Sequence, residues 1–431
     1  MSVALPEQLN FERSMPLSGG AKQQMAIALP ITGAGSYQLG STFLINIPRC
    51  SDDTVFDPCN SFLRFNVYNA DGTGVLVWDH SVNSLLKQVD VLHAGNLVES
   101  IANYGQLASF MLDCQVEQST RITGFNLTQG TGTTLDQPGL GETFGAAGNR
   151  FYSITLISGI VGCLCKNYIP VNDLQGSLQV RITLAHWNEI GRWTTPLATD
   201  SDAALSIRNI EFHCNMIKLS PQVLSMIRSP EYTIYSETYT NFQQTLAAAA
   251  GSSQIEQLIP TRYSSLKTVF LTMRKTTSAL NGGHAVLYPN SRSSFGIVDY
   301  CFRLGSEQIP PTRIRCEGFG YVEAYEALKV ALHCGGNSLA PMGVLNAANY
   351  SVVAPTGADY GANGGYFVIG QDFEVYSAKS NSQLLQGVSS LGSDLFFSAN
   401  IGAMASGAIF DYWCHYDFKL IIRDGILTVH V

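Results

Sequence analysis

Residues 57–114 read DPCNSFLRFNVYN (57–69), then a short loop, then WDHSVNSLLKQVDVLHAGNLVES (78–100) and IANYGQLASFMLDC (101–114). Strand side chains alternate with a period of two, so Leu63, Phe65 and Val67 share one face of a strand. Val89 and Val91, then Leu97 and Ile101, give two further alternating runs separated by Ala94-Gly95-Asn96. Glycine and asparagine tolerate the positive φ of a hairpin turn. A two-residue turn would set Asp90 opposite Glu99, an unfavourable facing of like charges, so a three-residue turn is expected. Asn103 followed by Gln106 predicts a helix N-cap of the capping-box kind, and Tyr104, Leu107, Ala108 and Met111 keep helical spacing after it. The stretch is therefore a strand, a hairpin and a short helix.

The same order returns in the second half. Val298 to Ile309 alternates about a Gly305 turn, and Tyr321 to Cys334 carries Tyr321, Tyr325, Leu328 and Leu332 on one helical stripe. Hairpin, helix, cysteine and Gly-rich loop thus occur twice, which points to two copies of one architecture. At the C-terminus Tyr412, Cys414, Tyr416, Phe418, Leu420 and Ile422 alternate up to Asp424-Gly425, a two-residue hairpin signal, before a last strand from Ile426. That run is read as the counterpart of Leu178, Val180, Ile182 and Leu184, near the end of the first half.

Many strands, few helices and an internal repeat predict an all-β fold of two tandem eight-stranded jelly-roll β-sandwiches, with short helices in connecting loops. The expected division is an N-terminal arm at 1–35, a first jelly roll at 36–190, a linker at 191–204 and a second jelly roll at 205–431. The arm lacks sustained periodicity; the linker, NEIGRWTTPLATDSDA at 188–203, is polar and carries Pro196. Tyr37, Leu39, Phe43, Ile45 and Ile47 predict a first core strand. Ile210, Phe212, Cys214 and Met216 predict the strand that opens the second half. Ser220-Pro221 predicts a capped helix start, and Gln254 to Arg262 reads as loop.

A chain of 431 residues exceeds one ordinary core and can bury two. Charged residues make up 13% against roughly 25% in a typical soluble domain, a deficit that suits surfaces covered by partners. The net charge of −8 and a single adjacent basic pair, Arg274-Lys275, argue against direct nucleic-acid binding. The first residues show no charged-then-apolar leader, and the nearly apolar run from Ile154 to Cys165 is short of a membrane span, so a cytosolic or nuclear chain is expected. In that reducing setting the ten cysteines are expected as free thiols.

The segments DPCNSFLRFNVYN, SLLKQVDVLHAGNLVESIANYGQLASFMLD, FRLGSEQIPP and EAYEALKVAL resemble the double jelly-roll major capsid proteins of Polinton-like viruses, adintoviruses and virophages. The resemblance covers both halves and is strongest in the first. It implies a pseudo-hexameric homotrimeric capsomer in an icosahedral shell around a double-stranded DNA genome. It further implies a virion location after assembly inside the host cell, and partners that include neighbouring trimers, a single jelly-roll penton protein and minor capsid proteins. An inner membrane is present in some members.

Jelly rolls also host carbohydrate binding and hydrolysis, so a cytosolic carbohydrate-binding or hydrolytic β-sandwich protein is the alternative. The chemistry for it is missing from the sequence: HExxH, GxSxG and a phosphate-binding Lys-Ser/Thr loop do not occur. The Gly-rich segment between Thr123 and Arg150 reads as a flexible connection. In His213-Cys214 and Cys414-His415, adjacent strand residues face opposite ways and cannot share a metal; for these and for His333-Cys334, satisfied core or surface histidines are the better reading. Glu323 and Glu326 fall on a solvated helix face, Asp200 and Asp202 in the linker. No catalytic, cofactor-binding or metal-binding residue is expected.

Overall fold

A computed structural model describes residues 21–31, 35–133, 140–195, 201–275, 291–318, 321–332, 343–352, 365–374, 387–404 and 407–431. The first half contains β1 (Lys22–Ala28), β2 (Ser36–Gln38), β3 (Thr42–Asn46), β4 (Thr54–Asn69), β5 (Val75–Asp79), β6 (Leu86–His93) and β7 (Asn96–Ala102). It continues with β8 (Leu140–Phe144), β9 (Asn149–Ile154), β10 (Leu178–Leu184), β11 (Gly191–Thr195) and β12 (Leu205–Lys218). The second half contains β13 (Glu231–Leu246), β14 (Ser253–Ile259), β15 (Leu266–Lys275), β16 (Ile297–Leu304) and β17 (Glu307–Arg315). It ends with β18 (Val368–Asp372), β19 (Leu395–Ile401), β20 (Ala408–Arg423) and β21 (Ile426–His430).

Two sheets face each other in each half. In the first they are β1-β12-β4-β9, with β2 also on β12, and β3-β10-β6-β7; in the second they are β13-β20-β15-β18, with β21 also on β20, and β14-β19-β16-β17. A third small sheet, β11-β5-β8, flanks the first half. If β1 and β2 count as one interrupted strand, and the side sheet and β21 are set apart, each half has eight strands paired in the orders 1-8-3-6 and 2-7-4-5. That repeated order makes the chain a double jelly roll. The cores follow from alternation: Leu63, Phe65 and Val67 on β4 and Phe212, Cys214 and Met216 on β12 are buried, as are Val269 and Leu271 on β15 and Phe410, Tyr412 and Cys414 on β20.

The repeat has a different boundary from the expected one. β12, expected to open the second sandwich, pairs with β1, β2 and β4 as the eighth strand of the first. The expected linker at 191–204 holds β11, which pairs with β5. A polar stretch need not mark a domain boundary. The chain crosses to the second sandwich after β12, through the helix Pro221–Ile227. Its start is capped as expected, with the Ser220 hydroxyl accepting from the Val223 N–H and proline in the first turn. The internal correspondence shifts accordingly: β20 matches β12, and Leu178–Leu184 (β10) matches β19, because β10 and β19 are the seventh strands of their halves.

Local readings are corrected for physical reasons. Tyr37 to Ile47 forms two strands in different sheets, β2 on β12 and β3 on β10. The corner is at Gly40, whose φ is 73° and whose added Cβ would lie 2.8 Å from the His186 ring; the apolar alternation continues in phase across it. Within the expected arm, β1 is a sheet strand, and residues 1–20 lie outside the described ones. The hairpin after β6 turns in two residues, Ala94 (φ 50°) and Gly95 (φ 85°), not three. A bulge in β7 keeps the like charges apart instead, moving Asp90 opposite Ser100 and Glu99 opposite Val91. Asn103 does not cap its helix: its φ is 50° and its side chain donates to Asn241 at 2.8 Å. The expected loop at 254–262 is largely β14, an antiparallel partner of β19. The segment from Thr123 to Arg150 folds into a helical turn, β8 and part of β9 around residues 134–139, which are not described.

The C-terminal hairpin and the second hairpin-helix are as read. Asp424 and Gly425 take φ of 51° and 76° between β20 and β21, and β16 and β17 pair about Gly305-Ser306 ahead of the helix Val322–Ala331.

Candidate functional site

The polar chemistry of this chain gathers at the seam between the two sandwiches. The helix Tyr104–Gln115 is wedged there, with ten of its twelve residues buried. Tyr104, Leu107, Ala108 and Met111 join the buried core, while Phe110 packs on the second sandwich against Phe270 at 5.5 Å and Trp413 at 6.0 Å between ring centroids. Backbones also approach closely across the seam. A Cβ on Gly159 would lie 2.3 Å from the Glu237 carbonyl oxygen, so only glycine fits. The Ser236 hydroxyl donates to the Gly159 carbonyl at 2.6 Å, and the Gln175 N–H donates to the Gly425 carbonyl at 2.7 Å.

At the far end of the same helix, Asp113 anchors a buried charge cluster. Its carboxylate meets Arg121 Nη1 at 2.7 Å, His80 Nε2 at 2.8 Å and the guanidinium of Arg292, which comes from the second sandwich. His80 Nδ1 lies 2.7 Å from Asp79 Oδ1. Burial opposes ionisation of Asp113, but the charges of His80, Arg292 and Arg121 outweigh it and hold the carboxyl well below the usual range. Chemically the cluster is a clamp. Both ring nitrogens of His80 are engaged by carboxylates, and all of these side chains are buried away from any substrate.

Glu99 is a second seam residue. Its carboxylate accepts from the Gly159 N–H at 2.8 Å and from the hydroxyls of Ser158 and Thr238, the last from β13 of the second sandwich. Burial pushes its carboxyl up, against the pull of these hydrogen bonds. A third centre lies on the second sandwich: Lys267 Nζ meets Glu237 at 2.7 Å and Glu374 at 3.3 Å, with Asp417 at 3.8 Å. Burial would raise Glu237, but His415 and Lys267 bring it far below the usual range.

None of these residues was singled out as a site from the sequence. Only Glu99 left a usable signal, since it shares the strand parity of Ile101, which is buried. The residues weighed as ligands are dispersed. His213 stacks on Phe62 on one sheet face while Cys214 is buried on the other, and His415 stacks on Tyr239 while Cys414 is buried opposite. Asp202 accepts from the Trp187 N–H at 3.0 Å and faces His186 Nδ1 at 2.8 Å. Glu323 and Glu326 lie on exposed positions of their helix. His333, Cys334 and Asp200 lie outside the described residues. The nine described cysteines are free; Cys59 and Cys163 are exposed, and Cys165, two residues on, is buried. An open groove of about 420 Å³, lined by Asp173, Arg228, Tyr232, Ile422 and Asp424 among others, marks one end of the seam. Tyr232 donates to Asp173 across it at 2.7 Å. Among the described residues, no three His, Cys, Asp or Glu side chains are grouped to hold a metal ion.

No protein-family profile matches the chain, and no curated protein matches its sequence. Solved structures do match. The capsid protein in the quasi-atomic PBCV-1 virus capsid is 11% identical with a TM-score of 0.65, over 98% of this chain and 99% of that one. The Faustovirus major capsid protein is 9% identical with a TM-score of 0.61, over 95% and 92%. The mavirus major capsid protein is 10% identical with a TM-score of 0.53, over 100% and 95%. These neighbours are double jelly-roll major capsid proteins, and the likeness to them is one of fold.

Proposed function

We propose that this chain is a viral major capsid protein whose activity is self-assembly. The observation that carries the reading is the twofold jelly-roll order, 1-8-3-6 against 2-7-4-5, running through one chain that aligns end to end with capsid proteins of that architecture. The low charge fraction supports it, because large subunit contacts lose charge at their centres. In this reading three copies form a pseudo-hexameric capsomer, with six sandwiches in a ring, and the capsomers tile an icosahedral shell around double-stranded DNA. A single jelly-roll penton protein and minor capsid proteins complete the shell, which assembles inside the host cell. The domain division that goes with it is a first sandwich at 22–218 and a second at 231–431.

The protein's role is structural and not enzymatic. In support, the carboxylates of Asp113 and Glu237 are buried against basic side chains of the chain itself. Negative-stain images and light scattering of the purified protein test the reading. Trimers or shells are expected; a stable monomer that binds an oligosaccharide would favour the carbohydrate-binding alternative and overturn it.

A further inference from the structure

The duplicated fold makes one helix-on-sheet contact inside the chain and, among the described residues, leaves both parts of a second such contact uncovered. In the contact already made, the helix after the fifth strand of the first sandwich, Tyr104–Gln115, lies on the outer face of the β13-β20-β15-β18 sheet. Asn241 and Phe270 pair directly with Trp413 and share its face. Phe110 and Asn103 reach that face, while Tyr412, one residue along β20, bonds to Gln257 on the opposed sheet inside the sandwich. The helix therefore covers the side of the sheet that points away from its own core.

The repeat provides the same two parts again. The helix after the fifth strand of the second sandwich, Val322–Ala331, buries Ala324, Leu328 and Ala331 on its own side, against Gly370 of β18. It turns outward Val322 (65% exposed) and Val330 (47%), with Glu323 and Glu326 beside them. Val322, Glu326 and Val330 recur every four residues and so form one stripe. The matching sheet face belongs to β1-β12-β4-β9. Phe212, Cys214 and Met216 point into the first core, so their neighbours His213 and Asn215, paired with Ile27 and Met25, point out. Met25 is 52% exposed and Ile27 54%; Phe151, at the far edge of the same face, is 46% exposed. Phe62 stacks on His213 between them; Arg208 adds positive charge, and Arg64 is paired with Glu211 at 3.0 Å.

We propose that the Val322–Ala331 helix of one copy seats on the outer β1-β12-β4-β9 face of a second copy, with Val322 and Val330 against Met25, Ile27 and Phe62. This rests on the self-assembly reading and specifies its partner surfaces. The apolar stripe meets an apolar patch, and Glu323 approaches a face bearing Arg208, which favours orientation more than affinity; Arg64 on that face is paired with Glu211, and Glu326 on the helix with Lys329. The contact is heterologous: each copy offers one helix and one face. Head-to-tail contacts of this kind either close into a ring or run on as a filament, and a two-sandwich chain that repeats its internal contact has the parts to close.

Ile27→Asp and Val330→Asp test the contact. Both positions are exposed, and an unchanged circular-dichroism spectrum checks that each variant folds. Size-exclusion chromatography with light scattering is expected to show closed oligomers for the wild type and monomers for each variant. An equimolar mixture of the two is expected to give dimers and nothing larger, because the intact helix of the Ile27→Asp copy can seat on the intact face of the Val330→Asp copy. Variants that assemble like the wild type, or a mixture that stays monomeric at concentrations where the wild type assembles, would overturn this contact and leave the self-assembly reading standing. A wild type that remains monomeric would overturn the self-assembly reading itself.

Discussion

Arg292 of the second sandwich ends its guanidinium on the carboxylate of Asp113 in the first, with both side chains buried. The pair joins the two halves at a point where water cannot compensate either charge. Removing one partner of a buried ion pair costs about 3–5 kcal/mol, because the other is left uncompensated. Asp113→Ala strands Arg121 and Arg292 together. Chemical denaturation should show at least that loss, with the seam opening before the sandwiches unfold. A change within 1 kcal/mol, read from the denaturation midpoint, would mean that the cluster is already hydrated.

Glu99 gives the seam a pH dependence of opposite sign to that of Asp113. Burial raises the folded-state pKa of Glu99, so its contribution to stability is fully present below the ordinary glutamate pKa and is lost as pH rises through the raised value. Asp113 and Glu237 have lowered pKa values, so their contribution is present above the ordinary carboxylate range and is lost as pH falls through the lowered values. In Glu99→Gln, melting temperature measured against pH should lose its decline on the alkaline side of the glutamate range and keep its acid limb. A profile parallel to that of the wild type would place the Glu99 carboxylate in contact with water.

Phe110 is the apolar counterpart of the clamp. Phe110→Ala leaves a cavity against Phe270 and Trp413 and should cost about 3–5 kcal/mol. Phe110→Leu should recover much of that loss by refilling the space. Urea titrations of the two variants give the comparison.

The thiols divide by accessibility. Cys59 is exposed; Cys163 is exposed as a residue, but partial burial of its sulfur, with Cys59 beside it, pushes the thiol up to about 11. Because the thiolate is the reactive form, Cys59 should react first with a thiol reagent near pH 8, and Cys163 more slowly. Cys114, Cys165, Cys214, Cys301, Cys316 and Cys414 are buried and should react only on unfolding. Loss of the fastest phase in Cys59→Ser assigns it; persistence of that phase would move the most reactive thiol elsewhere.

Several features that depend on neighbours in sequence were legible, although β14, with Ile255 and Ile259 turned to the core, was read as loop. The Asp424-Gly425 turn, the β16–β17 hairpin and the helices at Tyr104 and Val322 follow from local periodicity and turn chemistry. The expected separation of Asp90 and Glu99 is also present, through a bulge in β7 in place of a longer turn. The seam was not legible. Asp113 and Arg292 are 179 residues apart, and Glu99 and Thr238 139, and no local pattern links them. Asn103 carried a cap signal, but the second sandwich claimed its side chain through Asn241.

The sequence by itself determined that this chain is built of strands, that most of them bury one face, and that a hairpin-helix unit occurs twice. Alternation of apolar side chains fixes those properties because it sets which face of a strand avoids water. Only the tertiary structure decided which sheet each strand joins, and so that β12 closes the first sandwich and β20 the second. Every strand offers the same backbone donors and acceptors along its edges, so its partner is chosen by the path of the whole chain and the packing of two cores.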